Sequence, residues 1–323
     1  MVLSVPTIDI SALRASNDVS EKSKVIQQIG DACEQWGFFY VVNHGVDLDL
    51  VEKATTLGKL FFHMPKEIKD KVARSENNFQ GFSDSELTKQ KVDWKQVFDF
   101  TPELPGGSLA ESSMGVHGRN QWPDIPEFQD TMEKYLKSMQ ILAKSLFCAV
   151  LETLNAGMDC KNFIESSCFP GNEETSVCRL NFYPKCPDPA LHLGVGPHSD
   201  PAILTVLLQD SAVCSLQVQR DGKFYDIPPV KDSFVINIGD MMQAWSNGKY
   251  RGPVHQVLAN HDSDRFSLPY FLAPAYSCIV EPLGVKEEEK KYKKIHWGHF
   301  RKARYEGDFA DRGEEIQVSH FEM

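Results

Sequence analysis

The 323-residue chain carries 34 Lys and Arg against 45 Asp and Glu, a net charge of −11, with a pI near 5.4. Binding a phosphate backbone needs clustered cations, so this balance argues against a nucleic-acid partner, and no apolar run approaches the length of a membrane span. The eight cysteines (Cys33, Cys148, Cys160, Cys168, Cys178, Cys186, Cys214 and Cys278) are scattered and form no Cys-x-x-Cys pair, which suits a reducing compartment.

The N-terminus has no basic segment followed by an apolar stretch, and no long linker divides the chain. These features predict one domain, a cytoplasmic monomer that acts on a small molecule.

Val5 to Ile10 reads as a short strand. Ser20 is placed to cap a helix whose apolar positions Val25, Ile26, Ile29, Cys33 and Trp36 recur at helical spacing until Gly37 ends it. Phe38 to Val42 is a continuous apolar run, as in a buried strand, and His44 between Asn43 and Gly45 marks a structural turn. Residues 47 to 63 form the next helix, with Leu60, Phe61 and Phe62 assigned to the core, and Met64-Pro65 restarts a charged helix through Arg74. From Ser75 to Pro123 the chain is loop-rich, with Pro102 to Gly107 and Ser112-Ser113 as irregular backbone. Phe128, Met132, Tyr135, Met139, Leu142, Leu146 and Val150 keep a three-four spacing that predicts one long helix from Pro126 to Asn155.

After Val177 the pattern changes to short β-rich runs: 177–183, 202–209, 215–219, 224–227, 233–238, 254–259 and 266–272. Asp221-Gly222, Gly239-Asp240 and Asn247-Gly248 are the turn signals between them. Helices come first and a β barrel or sandwich follows, an α+β chain. The run Lys286 to Lys294 is interleaved with glutamates and reads as a solvated helix or loop.

The candidate chemistry lies in Pro197-His198-Ser199-Asp200-Pro201. If this stretch is a strand, His198 and Asp200 project from one face, and His255 from another strand completes a metal-binding face. Two histidines and one carboxylate on one side of an octahedron hold non-haem Fe(II) with open positions opposite. A His-x-acid pair arises by chance about once in a chain of this composition, and His320-Phe321-Glu322 is such a pair. What separates His198 from it is the company of Arg265-Phe266-Ser267 and Arg179 to Pro184.

With those motifs, the chain resembles the plant-type Fe(II)- and 2-oxoglutarate-dependent dioxygenase superfamily that includes isopenicillin N synthase and ACC oxidase. The likeness runs nearly end to end, through Val5 to Asp9, Trp36 to Phe39, Asn43-His44-Gly45, Asp93 to Phe100, Trp245-Ser246-Asn247 and the tail from Gly307 to Gln317. It implies a double-stranded β-helix, or jelly-roll, core over 171–280. Outside it lie an N-terminal helical and loop-rich region, 1–170, and a C-terminal extension, 281–323.

By the same resemblance His198, Asp200 and His255 are the iron ligands, and 2-oxoglutarate and then O2 fill the remaining positions. Arg265 and Ser267 hold the distal carboxylate of 2-oxoglutarate, Tyr183 donates to it, and Asn181 sits near the metal-bound end. The implied reaction splits 2-oxoglutarate to succinate and CO2 and oxidises a C–H bond of the substrate by hydroxylation, desaturation or oxidative cyclisation, with ascorbate as an accessory reductant.

If residues 179, 181 and 183 all face into the barrel, Arg179 needs an anionic partner, either a substrate carboxylate or a protein acid. Phe271, Phe79 and Gln80 are candidate pocket walls. An anion-binding Arg179 favours a small carboxylated metabolite such as an amino-acid derivative, with kainoid-type ring closure as one example. Two alternatives stay open: an oxidase resembling ACC oxidase that needs no 2-oxoglutarate, and a non-catalytic small-molecule sensor on the same fold.

Overall fold

The computed structural model describes residues 4–15, 18–75, 78–88, 91–103, 118–154, 156–210, 213–309 and 316–323. Its centre is a jelly roll made of two sheets. The larger has eight strands in the spatial order Thr7–Asp9, Phe38–Val42, Phe234–Ile238, Leu204–Gln209, Arg265–Leu272, Val177–Tyr183, Gln96–Phe100 and Gly81–Ser83. The smaller has four, in the order Lys223–Asp226, Leu216–Arg220, His255–Leu258 and Leu193–His198.

Both faces of the large sheet are covered, and its strands Phe38–Val42 and Phe234–Ile238 are buried along nearly their whole length. Along Phe38–Val42, Phe38 and Tyr40 pack inward against Val195, Leu216, Val218 and Val257 of the small sheet, while Phe39 and Val41 join the outer core. Phe234–Ile238 divides the same way: Phe234, Ile236 and Ile238 face outward, and Val235 inward. The 25-residue helix Phe128–Glu152 lies in that outer core, and Phe61, Phe82, Phe98 and Phe128 form an aromatic cluster there with ring centroids 5.0 to 6.0 Å apart. Each such fully buried ring contributes about 1.5–3 kcal/mol by leaving water.

Several local expectations need correction. The helix Val19–Gln35 is capped by Asp18, whose carboxylate accepts from the Ser20 amide, and not by Ser20. Leu60 lies on the outer face of the helix Leu48–Phe62 and is exposed. The expected helix through Arg74 is a single turn, Lys66–Lys69, followed by a 3-10 turn at Asp70–Val72. The loop-rich stretch from Ser75 holds the strands Gly81–Ser83 and Gln96–Phe100, so half of the large sheet comes from the chain before residue 170. Gly239-Asp240, expected as a turn, opens the helix Asp240–Trp245. The long helix ends at Glu152; Asn155, most of the irregular 102–113 stretch and the tail at 313–315 lie outside the described residues.

All eight cysteines are free thiols. Among the described residues no helix is long and apolar enough to cross a membrane.

Candidate metal centre and adjoining cavities

His198 ends the strand Leu193–His198 and pairs in register with His255 at the start of His255–Leu258. Asp200 lies just beyond the strand, so the shared strand face expected for His198 and Asp200 is not what unites them. The Asp240 amide donates to the Asp200 carbonyl at 2.8 Å, and Gly239 comes so near that a Cβ there would lie 2.1 Å from the Ala202 carbonyl oxygen. Only glycine allows that close approach.

Nε2 of His198 and Nε2 of His255 stand 3.6 and 3.5 Å from Oδ1 of Asp200. The three ligand atoms all lie within 4.8 Å of one another, close enough to hold one metal ion. The partners of the remaining atoms favour that use. Nδ1 of His198 lies 2.8 Å from the Gly196 carbonyl and Nδ1 of His255 lies 3.1 Å from that of Pro253, so each Nδ1 donates and each Nε2 keeps its lone pair. Oδ2 of Asp200 accepts from Thr205 and from Asn237, which leaves Oδ1 for the metal.

Electrostatics point the same way. Burial works against an ionised Asp200, but the facing His255 and His198 hold its carboxyl well below the usual range. Burial, and then the neighbouring His255, push His198 down toward the neutral, ligating form. For His255 burial is outweighed by Asp200, and its pKa is raised.

Two cavities meet at this centre. The first, about 80 Å³, is lined by Asn181, Tyr183, Arg265 and Ser267 together with the triad. Cross-strand register assembles it: Arg265 opposes Tyr183 and Ser267 opposes Asn181. Arg265 is 2% exposed, its guanidinium lies 5.0 Å from the centre of the Tyr183 ring, and its Nη atoms donate to Ser267 and Gln209. Its Nε is buried without a hydrogen-bond partner, and among the described residues no carboxylate pairs with it. A buried guanidinium in that state is suited to an anionic ligand.

The second cavity, about 140 Å³, shares His198, Asp200, Arg179 and Phe271 with the first and is otherwise lined largely by Glu86-Leu87-Thr88 and by the C-terminal helix Trp297–Phe309. Arg179 faces it, yet protein acids hold its guanidinium: Nε and Nη2 donate to Asp99 at 2.7 and 2.8 Å, and Nη1 to Glu86 at 2.8 Å. Arg74 also binds Glu86 and Asp99, and Lys95 bridges Glu86 and Asp93 at 3.1 and 3.0 Å. Three cations therefore face three carboxylates. Burial opposes the charge on Glu86, but Arg179, Lys95 and Arg74 outweigh it and hold the carboxyl well below its ordinary value.

Of the other expected wall residues, Phe271 lines both cavities. Phe79 and Gln80 line neither; Phe79 makes an edge contact with Tyr305 at 6.0 Å. Sequence reasoning missed Thr205 and Asn237 behind Asp200, and Trp297, Arg301, Arg304 and Tyr305 on the C-terminal helix. Spacing could have found three of these: positions 297, 301 and 305 share one helical face. His44, read as structural, is buried against Phe234 at 4.6 Å and its Nδ1 accepts from the Val46 amide.

The comparisons with known proteins agree with this geometry. Residues 5–125 match the model for the non-haem dioxygenase in morphine synthesis N-terminal region, and residues 174–274 that of the 2OG-Fe(II) oxygenase superfamily. Jasmonate-induced oxygenase 2 of Arabidopsis thaliana is 34% identical over 86% of this chain and 72% of its own length. Flavanone 3-dioxygenase of Petroselinum crispum is 34% identical over 88% of this chain and 74% of its own length. The crystal structure of JOX2 in complex with 2OG, Fe and JA superposes with a TM-score of 0.82 at 30% identity, covering 98% of this chain and 89% of that one. The chain belongs to the 2OG-Fe(II) oxygenase superfamily and is a non-haem Fe(II)- and 2-oxoglutarate-dependent oxidoreductase that uses O2.

Proposed function

We propose that the enzyme oxidises a C–H bond of a small carboxylated metabolite, amino-acid derivatives included. Hydroxylation, desaturation and ring closure share the same first step, and positioning decides among them. The observation that carries this reading is the meeting of two cavities at His198 and Asp200, one holding the buried guanidinium of Arg265 and the other lined by Lys95, Arg179, Arg301 and Arg304.

In this reading His198, Asp200 and His255 hold Fe(II). When bound, the iron supplies the O2 chemistry that splits 2-oxoglutarate and oxidises the substrate. Arg265, Ser267 and Tyr183 bind the distal carboxylate of 2-oxoglutarate, and Asn181 lines the path to the metal. Phe271 separates co-substrate from substrate, and the substrate occupies the second cavity. Arg179 contributes to its cationic wall with a charge already matched by Asp99 and Glu86.

The test is anaerobic titration of the Fe(II)-loaded protein with 2-oxoglutarate, followed by succinate release on admitting O2 with a panel of small carboxylates. A metal-to-ligand charge-transfer band that is lost in Arg265→Ala, and succinate release stimulated by a carboxylate, are expected. Iron binding without the band, or stimulation by neutral compounds alone, overturns the reading.

A further inference from the structure

Arg301 lines the second cavity beside the metal centre and is 6% exposed. Its guanidinium sits among aromatic rings, 5.1 Å from the centre of Tyr305, 5.7 Å from Tyr276 and 6.0 Å from Trp297. Nη1 donates to the Thr175 carbonyl, which ties the helix to the segment just before the strand Val177–Tyr183. Nε is buried with no hydrogen-bond partner, and among the described residues no carboxylate lies within ion-pairing distance of Arg301.

A buried cation in this state is costly unless an anion completes it. The contrast with its neighbours is sharp: Arg74, Lys95 and Arg179 are matched one for one by Glu86, Asp93 and Asp99. The aromatic rings fix the guanidinium in place and exclude water, so its planar fork is pre-organised for a bidentate oxyanion.

We propose that Arg301 is the anchor for the carboxylate of the primary substrate, a role the sequence suggested for Arg179. This rests on the reading that the second cavity takes a carboxylated metabolite. With the carboxylate at Arg301 and the triad at the other end, the substrate lies along the cavity with its distal carbons toward the metal. The cavity has a volume of about 140 Å³. A ligand of about ten non-hydrogen atoms, such as octanoate or phenylacetate, is the natural probe for such a volume.

The experiment uses the full chain loaded anaerobically with Fe(II) and 2-oxoglutarate, and measures by ligand-observed NMR the affinity of octanoate and phenylacetate against octanamide and phenylacetamide. Wild type is expected to prefer each acid over its amide by on the order of 10–100-fold, the range of a charge-assisted hydrogen bond. Arg301→Met should abolish that preference while the charge-transfer band of the Fe(II)·2-oxoglutarate complex forms as before. Arg301→Lys, which keeps the charge and loses the fork, should retain part of the preference. The band serves as the check that each variant folds.

If wild type prefers the acids and Arg301→Met prefers them equally, the assignment to Arg301 falls and the carboxylated-substrate reading stands. If wild type binds acid and amide alike, or binds no acid, both fall. Loss of the band in both Arg301 variants makes the residue structural and also overturns the assignment.

Discussion

Asp99 and Arg179 stand opposite one another on neighbouring antiparallel strands, and two parallel bonds of 2.7 and 2.8 Å join carboxylate to guanidinium. Asp99 is fully buried and also accepts from Arg74, so it satisfies two cations at once. Asp99→Asn should therefore cost about 3–5 kcal/mol, the range for breaking a buried ion pair on one side. Denaturant unfolding measures it; a loss under about 1 kcal/mol, as for an exposed pair, counts against this account.

The same network sets an acid limit on stability. Glu86 faces Arg74, Lys95 and Arg179, and its folded pKa lies well below the ordinary value. A depressed carboxyl binds fewer protons folded than unfolded, so its contribution is complete above the unfolded pKa of about 4.3 and is lost as pH falls toward the folded value. Glu86→Gln should be less stable than wild type at neutral pH, with the gap narrowing below about pH 4. Melting curves across that range decide it, and a constant gap would remove Glu86 from the explanation.

Asn237 and Thr205 fix the oxygen of Asp200 that does not face the histidines. Asn237→Leu should weaken Fe(II) binding by about 10–100-fold, as loss of a ligand's own partner typically does. Anaerobic metal titration gives the answer, with unchanged affinity as the contrary result.

Arg265 has one neutral oxygen partner on each Nη and a free Nε. Replacing it with Lys keeps the charge but not the fork, and should weaken 2-oxoglutarate binding by roughly tenfold, with Arg265→Ala weaker still. Titration of the charge-transfer band reads both. Equal affinity in all three proteins would exclude Arg265 from the co-substrate site.

Gly239 lies against the backbone of Asp200 and Ala202. Gly239→Val should displace the loop that presents Asp200, lowering both thermal stability and iron occupancy. A variant that keeps full occupancy would show that the loop can yield.

The polar lining of the first cavity was legible because its residues recur two apart on two strands. Arg265 and Ser267, and Asn181 and Tyr183, are two apart, and pairing brings the two sets together. The position of Asp200 was less legible: it depends on contacts with Gly239 and Asp240, some forty residues on, which no local pattern encodes. The strands 81–83 and 96–100 were read as loop because one is only three residues long and the other, Gln96-Val97-Phe98-Asp99-Phe100, is buried on both faces and lacks alternation. Arg179 was correctly placed on an inward face, but its partners Glu86 and Asp99 lie some eighty to ninety residues earlier, so the sequence could not choose between a substrate and a protein acid.

Among the described residues the C-terminal helix contributes Trp297, Arg301, Arg304 and Tyr305 to the second cavity and none to the first, and Arg304 donates to the Ser199 carbonyl of the metal loop. On the assignment proposed above, part of the recognition of the compound to be oxidised is encoded in a stretch of gene separate from the one that encodes the metal ligands. Recombination or drift confined to that stretch can hand the catalyst a new substrate without rebuilding it, and a helix graft between relatives is the direct way to exploit the division.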